Sequence, residues 1–184
     1  MSKSTSLDKL LKFRKSDPWW YVLIVLVLAL ILSFVPITSP ADVQTVVDGD
    51  FAVIRVIDGD TIVVSDPGGE ITVRLIGIDT PELARAGNPV ECFAEAAKQQ
   101  MISLVSGQTV TLESDPTQSD LDKYGRSLRY VLLPDGTNVN LEMVRQGFAY
   151  EYTYDVPYVY QAEFEQAEQN ARGSNLGLWG SCPV

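Results

Sequence analysis

Asp60 and Asp79 stand at the ends of two apolar runs, VIDGDT (56–61) and VRLIGIDTPE (73–82). Two carboxylates brought to neighbouring strand ends repel, and each raises the other's pKa unless a cation lies between them. A hard cation with oxygen ligands relieves that repulsion, and Ca²⁺ takes carboxylates, a backbone carbonyl and waters in a flexible shell. Glu82, three residues after Asp79, could hold or polarise a water beside the metal. Arg74, five residues before Asp79, and Arg126 in DKYGR could turn two guanidinium forks on a phosphate whose charge rises in the transition state. Each signal also has an ordinary reading. Asp-Gly-Asp closes turns, a strand arginine makes cross-strand ion pairs, and DKYGR suits a tight turn with glycine at positive φ. The chemistry lies in the combination.

Composition excludes the main alternatives. The 184 residues include no histidine, which removes imidazole bases, Ser-His-Asp and Cys-His nucleophiles and His-rich metal centres. Two cysteines, Cys92 and Cys182, cannot complete a four-ligand zinc site without histidine. Of the 14 basic and 24 acidic residues, the first 40 positions hold 5 and 2, leaving 9 and 22, a net of −13, for residues 41–184. That is the opposite of the basic footprint of a nucleic-acid binder. It suits a surface adapted to solubility or salt.

The elements that must position these residues follow from the hydrophobic pattern. FAVIRVID (51–58) and TIVVSD (61–66) read as strands around Gly59, and DPGGE turns the chain into ITVRLIGID (71–79). Asn88-Pro89 opens a helix over 90–105 that ends before Gly107. TVTLES (109–114) and SLRYVLL (127–133) are further strands, with a short helix over 140–146 starting at Asn140 and ending at Gly147. FAYEY is a short strand, 159–172 an amphipathic helix, and GSNLGLWGSCPV a coil tail. This order predicts an α+β, mainly β chain: a small five-stranded barrel with three helices packed outside. Asp-Gly-Asp occurs twice, in VVDGD (46–50) and VIDGD (56–60). Only Asp60 is followed by threonine and an apolar strand, so Asp48-Gly49-Asp50 reads as the solvated end of a linker.

Residues 19–35, WWYVLIVLVLALILSFV, carry no charge and would span about 25 Å as a helix. Trp19, Trp20 and Tyr21 sit where an interfacial belt would, behind a flank bearing Lys3, Lys9, Lys12, Arg14 and Lys15. The positive-inside rule places the N-terminus in the cytoplasm and the rest outside. The segment reads as an uncleaved signal anchor, or as a signal peptide cut after Ala41. The expected organisation is a basic cytoplasmic N-terminus (1–18), one transmembrane helix (19–35), a linker (36–48) and the barrel domain (49–184). The expected location is the cytoplasmic membrane with the domain extracytoplasmic, or the exterior if the chain is cleaved. In that compartment Cys92 and Cys182 read most simply as one disulfide, with two unrelated thiols the alternative.

Four blocks now stand in order: VIDGDT, VRLIGIDTPE, LDKYGRSLRYV (121–131) and VNLEMVRQGFA (139–149). Together they resemble the signature blocks of the staphylococcal nuclease (thermonuclease) family, over roughly residues 51–179. The resemblance implies an OB-type barrel with three helices, and Ca²⁺-dependent hydrolysis of DNA and RNA phosphodiesters to 3′-phosphates and 5′-hydroxyls. It matches Asp60 and Asp79 to metal-ligating carboxylates and Thr80 to a ligand acting through its carbonyl. It matches Glu82 to the residue assigned to the attacking water, and Arg74 and Arg126 to the phosphate-clamping arginines. Lys123 and Tyr124 match positions lining the nucleotide pocket, and Tyr152 and Tyr154 are the candidates for base stacking. Exported relatives often place cysteines like Cys92 and Cys182, which supports the disulfide. The loop LARAGNPVE (83–91) is nearly uncharged where relatives are lysine-rich, implying weaker nonspecific attraction to polyanions. No obligate protein partner is expected. The competing reading is a catalytically silent OB-fold module that binds nucleic acid or protein.

Overall fold

In the computed structural model of the chain, the described residues are 19, 23–27, 46–84 and 87–183. The chain divides into two units, 1–42 and 43–184. In the first, Trp19 and residues 23–27 are helical and exposed. Among the described residues no helix is long and apolar enough to cross a membrane. Most of the segment expected to span lies outside them.

The second unit is built on β1 (Val46–Asp58), β2 (Thr61–Asp66), β3 (Gly69–Leu75), β5 (Thr109–Ser114) and β6 (Ser127–Leu132), which close into a barrel in the order β1-β2-β3-β6-β5. Two short strands, β4 (Ile78–Asp79) and β7 (Tyr150–Glu151), pair outside it. Closure depends on β1, whose first half pairs with β5 and whose second half pairs with β2, both antiparallel. The parallel pair β3–β6 seals the other side, with Arg74 opposite Leu128. Three helices carry apolar faces: α1 (Ala94–Val105), α2 (Val139–Arg145) and α3 (Gln161–Gly173). In α1 the buried residues are Ala94, Ala97, Met101 and Val105, the stripe expected of a helix laid on a core. The core joins these residues to Ile62, Val64, Val73, Leu75, Leu112, Val131 and Met143, with Tyr130 and Phe164 its largest fully buried side chains.

Five local expectations are corrected. The run read as one strand over 71–79 is two: β3 ends at Leu75, and Ile78–Asp79 forms β4 after a turn in which Gly77 has φ 78°. Strand β1 begins at Val46, so Asp48-Gly49-Asp50 belongs to the barrel and not to a linker. A register shift falls between Val47 and Gly49, and Gly49 has φ 109°, a bulge that a glycine admits. Asp48 then forms an ion pair with Arg129, while Asp50 accepts a hydrogen bond from Thr111 Oγ1 at 2.7 Å. Helix α1 starts at Ala94, after Phe93 at φ 73°; the residues expected to form its first turn instead carry a backbone contact to Glu82 and the disulfide. Helix α2 is capped by Asn138, whose side chain accepts from Leu141 N–H, and Asn140 is buried within the helix. The tail is not all coil. Leu178–Ser181 forms a one-turn helix, α4, with Leu178 buried.

Candidate active site

Tight turns deliver both carboxylates that the sequence singled out. Asp60 follows Gly59 between β1 and β2. A Cβ at position 59 would lie 2.8 Å from Thr80 Cγ2 and 3.0 Å from Ala97 Cβ, so glycine lets this turn close on the next one. Asp60 is 5% exposed. Its Oδ2 accepts hydrogen bonds from Thr80 N–H (3.1 Å) and Thr80 Oγ1 (3.0 Å), and its Oδ1 accepts one from Thr61 Oγ1 (2.9 Å). Asp79 lies at the end of β4, paired with Tyr150 of β7.

Arg74 joins the two. It stands on β3 opposite Thr61, with Nη2 3.0 Å from Asp79 Oδ1 and Nε 3.3 Å from Asp60 Oδ1. Its Nη1 donates to the carbonyls of Leu75 (2.7 Å) and Ile78 (2.8 Å), which fixes the fork. Burial pushes the Asp79 carboxyl above its ordinary range; Arg74 opposes this, while the charges of Asp60, Glu82 and Glu91 add to it. Asp58, which accepts a hydrogen bond from Asp60 N–H at 3.3 Å, is pushed up to about 6, by burial first and then by Asp60. Carboxylates that resist one another's ionisation are the arrangement a cation relieves. Among the described residues no three acidic or cysteine side chains form a ready cage. Carboxylate oxygens of this kind suit a hard, oxygen-preferring cation.

Glu82 is exposed, and its main chain is clasped to Glu91. Arg126 is placed by Asp122, whose Oδ2 accepts from Arg126 Nε at 2.6 Å and whose Oδ1 accepts from Tyr124 N–H (2.8 Å) and Arg126 N–H (2.9 Å). Burial works against the Asp122 carboxylate, but these bonds outweigh it and hold its pKa below the usual range. Arg126 Nη1 donates to Thr61 Oγ1 at 3.4 Å, and Thr61 donates onward to Asp60. Two guanidiniums and the carboxylates of Asp60, Asp79 and Asp122 thus belong to one hydrogen-bonded array.

The aromatic candidates also gather. Tyr124 and Tyr154 are 73% and 70% exposed, and Lys123 Nζ lies 5.1 and 6.0 Å from their ring centroids. Tyr152 lies 6.3 Å from Tyr154, and Arg126 Cζ is 5.5 Å from the Tyr124 ring. Exposed rings with cations beside them suit a stacked base and its phosphate. Cys92 and Cys182 form a disulfide with Cα atoms 5.9 Å apart.

Four participants escaped the sequence reading: Asp58, Thr61, Asp122 and Glu91. The first three carried a signal. Asp58 and Thr61 flank Asp60 in DGDT, and Asp122 stands four residues before Arg126, where a side chain can cap the turn holding it. Glu91 carried none, because its partner is nine positions away across a loop.

A small barrel that opposes clustered carboxylates to guanidinium forks beside exposed aromatics defines a phosphodiester-handling protein. Comparison with known proteins is specific. The family model described as "Staphylococcal nuclease homologue" matches residues 72–181. A thermonuclease of Staphylococcus intermedius is 38% identical over 129 residues, covering 70% of this chain and 75% of the relative. A thermonuclease of Staphylococcus hyicus is 32% identical over 164 residues, covering 87% and 95%. A protein of Escherichia coli O157:H7 named as an uncharacterized endonuclease is 40% identical over 128 residues, covering 69% and 74%. This chain belongs to the staphylococcal nuclease family.

Proposed function

We propose that this chain is a Ca²⁺-dependent nuclease that hydrolyses phosphodiester bonds of DNA and RNA outside the cytoplasmic membrane, leaving 3′-phosphate and 5′-hydroxyl ends. The observation that carries the reading is the single array in which Arg74 holds Asp60 and Asp79 while Arg126 reaches the same Asp60 through Thr61. Its catalytic positions are all filled by chemically competent residues. The disulfide supports an oxidising compartment.

Asp60, Asp79 and the Thr80 carbonyl would hold the calcium ion, which when bound neutralises charge on the phosphate and lowers the pKa of nearby water. Glu82 accepts the proton of the attacking water. Arg74 and Arg126 meet the added negative charge as water oxygen bonds to phosphorus and the P–O5′ bond breaks, with the leaving 5′ oxygen taking its proton from solvent water. Arg74 would present its Nε and Nη2 edge, which faces Asp60 and Asp79 here, to the phosphate, while its Nη1 stays on the Leu75 and Ile78 carbonyls. Lys123, Tyr124, Tyr152 and Tyr154 line the path of the nucleotide. The test is digestion of plasmid and single-stranded DNA by the full chain and its Glu82→Gln variant, with Ca²⁺ or chelator. Metal-dependent cleavage that falls at least a hundred-fold (about 2.7 kcal/mol) in the variant is expected. A folded protein that does not cleave, or a variant as active as its parent, refutes the reading.

A further inference from the structure

The chain leaves the catalytic turn at Glu82 and returns beside it at Glu91. There it makes two reciprocal contacts: Glu91 N–H donates to the Glu82 carbonyl at 2.9 Å, and Glu82 N–H donates to Glu91 Oε2 at 2.9 Å. The next residue, Cys92, is bonded to Cys182 across 90 positions of sequence. Cys182 is itself anchored, because its N–H donates to the Leu178 carbonyl at 2.9 Å, Leu178 is buried, and Leu178 N–H donates to the Gly147 carbonyl at 2.8 Å. After Cys92, Phe93 takes φ 73°, a left-handed conformation that a bulky residue rarely adopts, and its ring packs on Phe148 at 5.3 Å. Residues 91–93 are therefore fixed on three sides: to Glu82, to the C-terminal segment and to the start of α1.

From this arrangement we infer that Glu91 and the Cys92–Cys182 disulfide are positioning residues for Glu82, holding the main chain from which its carboxylate reaches the attacking water. The inference rests on the proposed role of Glu82. Glu91 is exposed and its contacts compete with water, so alone it would hold Glu82 loosely. The covalent link next to it removes most of the freedom that Glu91 would otherwise lose on forming the clasp, and so makes the clasp persistent. The disulfide thereby acts on catalysis as well as on stability. Reduction should release the clasp while the barrel and the Asp60–Arg74–Asp79 array stay in place.

The test compares Glu91→Ala, Glu91→Gln and the double variant Cys92→Ser/Cys182→Ser with the parent full chain, well below every melting temperature. The readouts are kcat, KM for a single-stranded oligonucleotide, and hydrogen exchange at the Glu82 amide. Glu91→Ala is expected to lose about ten- to a hundred-fold in kcat, the scale of a displacement near 1 Å, with KM little changed and faster exchange at Glu82. Glu91→Gln removes the charge but keeps an acceptor for Glu82 N–H, so it should restore kcat and protection. The serine pair should lower kcat similarly and less than additively with Glu91→Ala. Parental kcat in Glu91→Ala or in the folded serine pair overturns the inference and leaves the nuclease reading intact. So does failure of Glu91→Gln to rescue, which would assign the effect to charge. If the parent does not cleave DNA, the nuclease reading fails and takes this inference with it.

Discussion

Asn140 offers a sharp test of how the fold holds the catalytic strand. It is fully buried on α2, at 0% exposure, and its carboxamide does the work of a strand at the place where β3 leaves the barrel. The parallel ladder between β3 and β6 ends at Leu75 opposite Arg129. Beyond it, Asn140 Oδ1 accepts from Val131 N–H at 3.0 Å, and Nδ2 donates to the Ile76 carbonyl at 2.9 Å and the Arg129 carbonyl at 3.2 Å. The Arg129 carbonyl keeps a second donor, Ile76 N–H at 3.0 Å. An Asn140→Leu variant fills the same space yet strips Val131 N–H and the Ile76 carbonyl of the partners they have here. At about 1–3 kcal/mol for each buried polar group left unpaired, the expected loss is roughly 4 kcal/mol. In a domain of this size that lowers Tm by about 10–15 °C. Urea denaturation followed by far-UV circular dichroism measures it. Ile76 lies between Arg74 and Asp79, so the folded variant should also lose kcat. A loss below about 1 kcal/mol would refute the idea that this side chain closes the ladder.

Other consequences follow from the same contacts. Replacing Cys92 and Cys182 by serine should cost up to about 4.6 kcal/mol of stability, the chain-entropy value for a loop of this length, read as a lower urea midpoint that matches the reduced parent. Asp122→Ala removes the acceptor for Arg126 Nε and for two backbone N–H groups; kcat/KM should fall about ten- to a hundred-fold, and Asp122→Asn should recover part of it. Asp115 concerns acid stability. Burial raises its pKa, but bonds from Tyr130 OH, Val159 N–H and Thr117 outweigh burial and hold it below the ordinary value. Its contribution is therefore complete above the unfolded-state pKa near 3.9 and is lost as pH falls through the lower folded value. Asp115→Asn should be less stable than the parent at pH 6, and the gap should narrow toward pH 2 in thermal melts.

Much of this was legible in the sequence, for physical reasons that differ between residues. The barrel strands were readable because side-chain alternation and turn glycines act locally, and Asp60, Asp79, Arg74 and Arg126 because their chemistry is unusual at strand ends. The start of α1 is set by contacts that no local pattern shows, the tie of Glu91 to Glu82 and the Cys92–Cys182 disulfide, and the start of α2 by a choice between asparagines. Asparagine is a good helix cap anywhere, and tertiary partners decided its use: Asn138 caps α2, while Asn140 serves the sheet. The first Asp-Gly-Asp copy was misread because its partner Arg129 is 81 residues away, a distance over which no local pattern speaks. Within the two copies the glycines do different work: Gly59 permits close approach of Thr80, whereas Gly49 supplies a positive φ with open space around it.

The most direct test of the central claim is the chemistry of the cut ends. The full chain and its Asp79→Asn variant are incubated with a defined single-stranded oligonucleotide, with Ca²⁺ or with chelator, and products are identified by mass spectrometry. The parent should give 3′-phosphate and 5′-hydroxyl fragments with Ca²⁺ alone, and the variant almost none. Cleavage that persists in chelator, fragments bearing 5′-phosphates, or full activity in Asp79→Asn would contradict that claim.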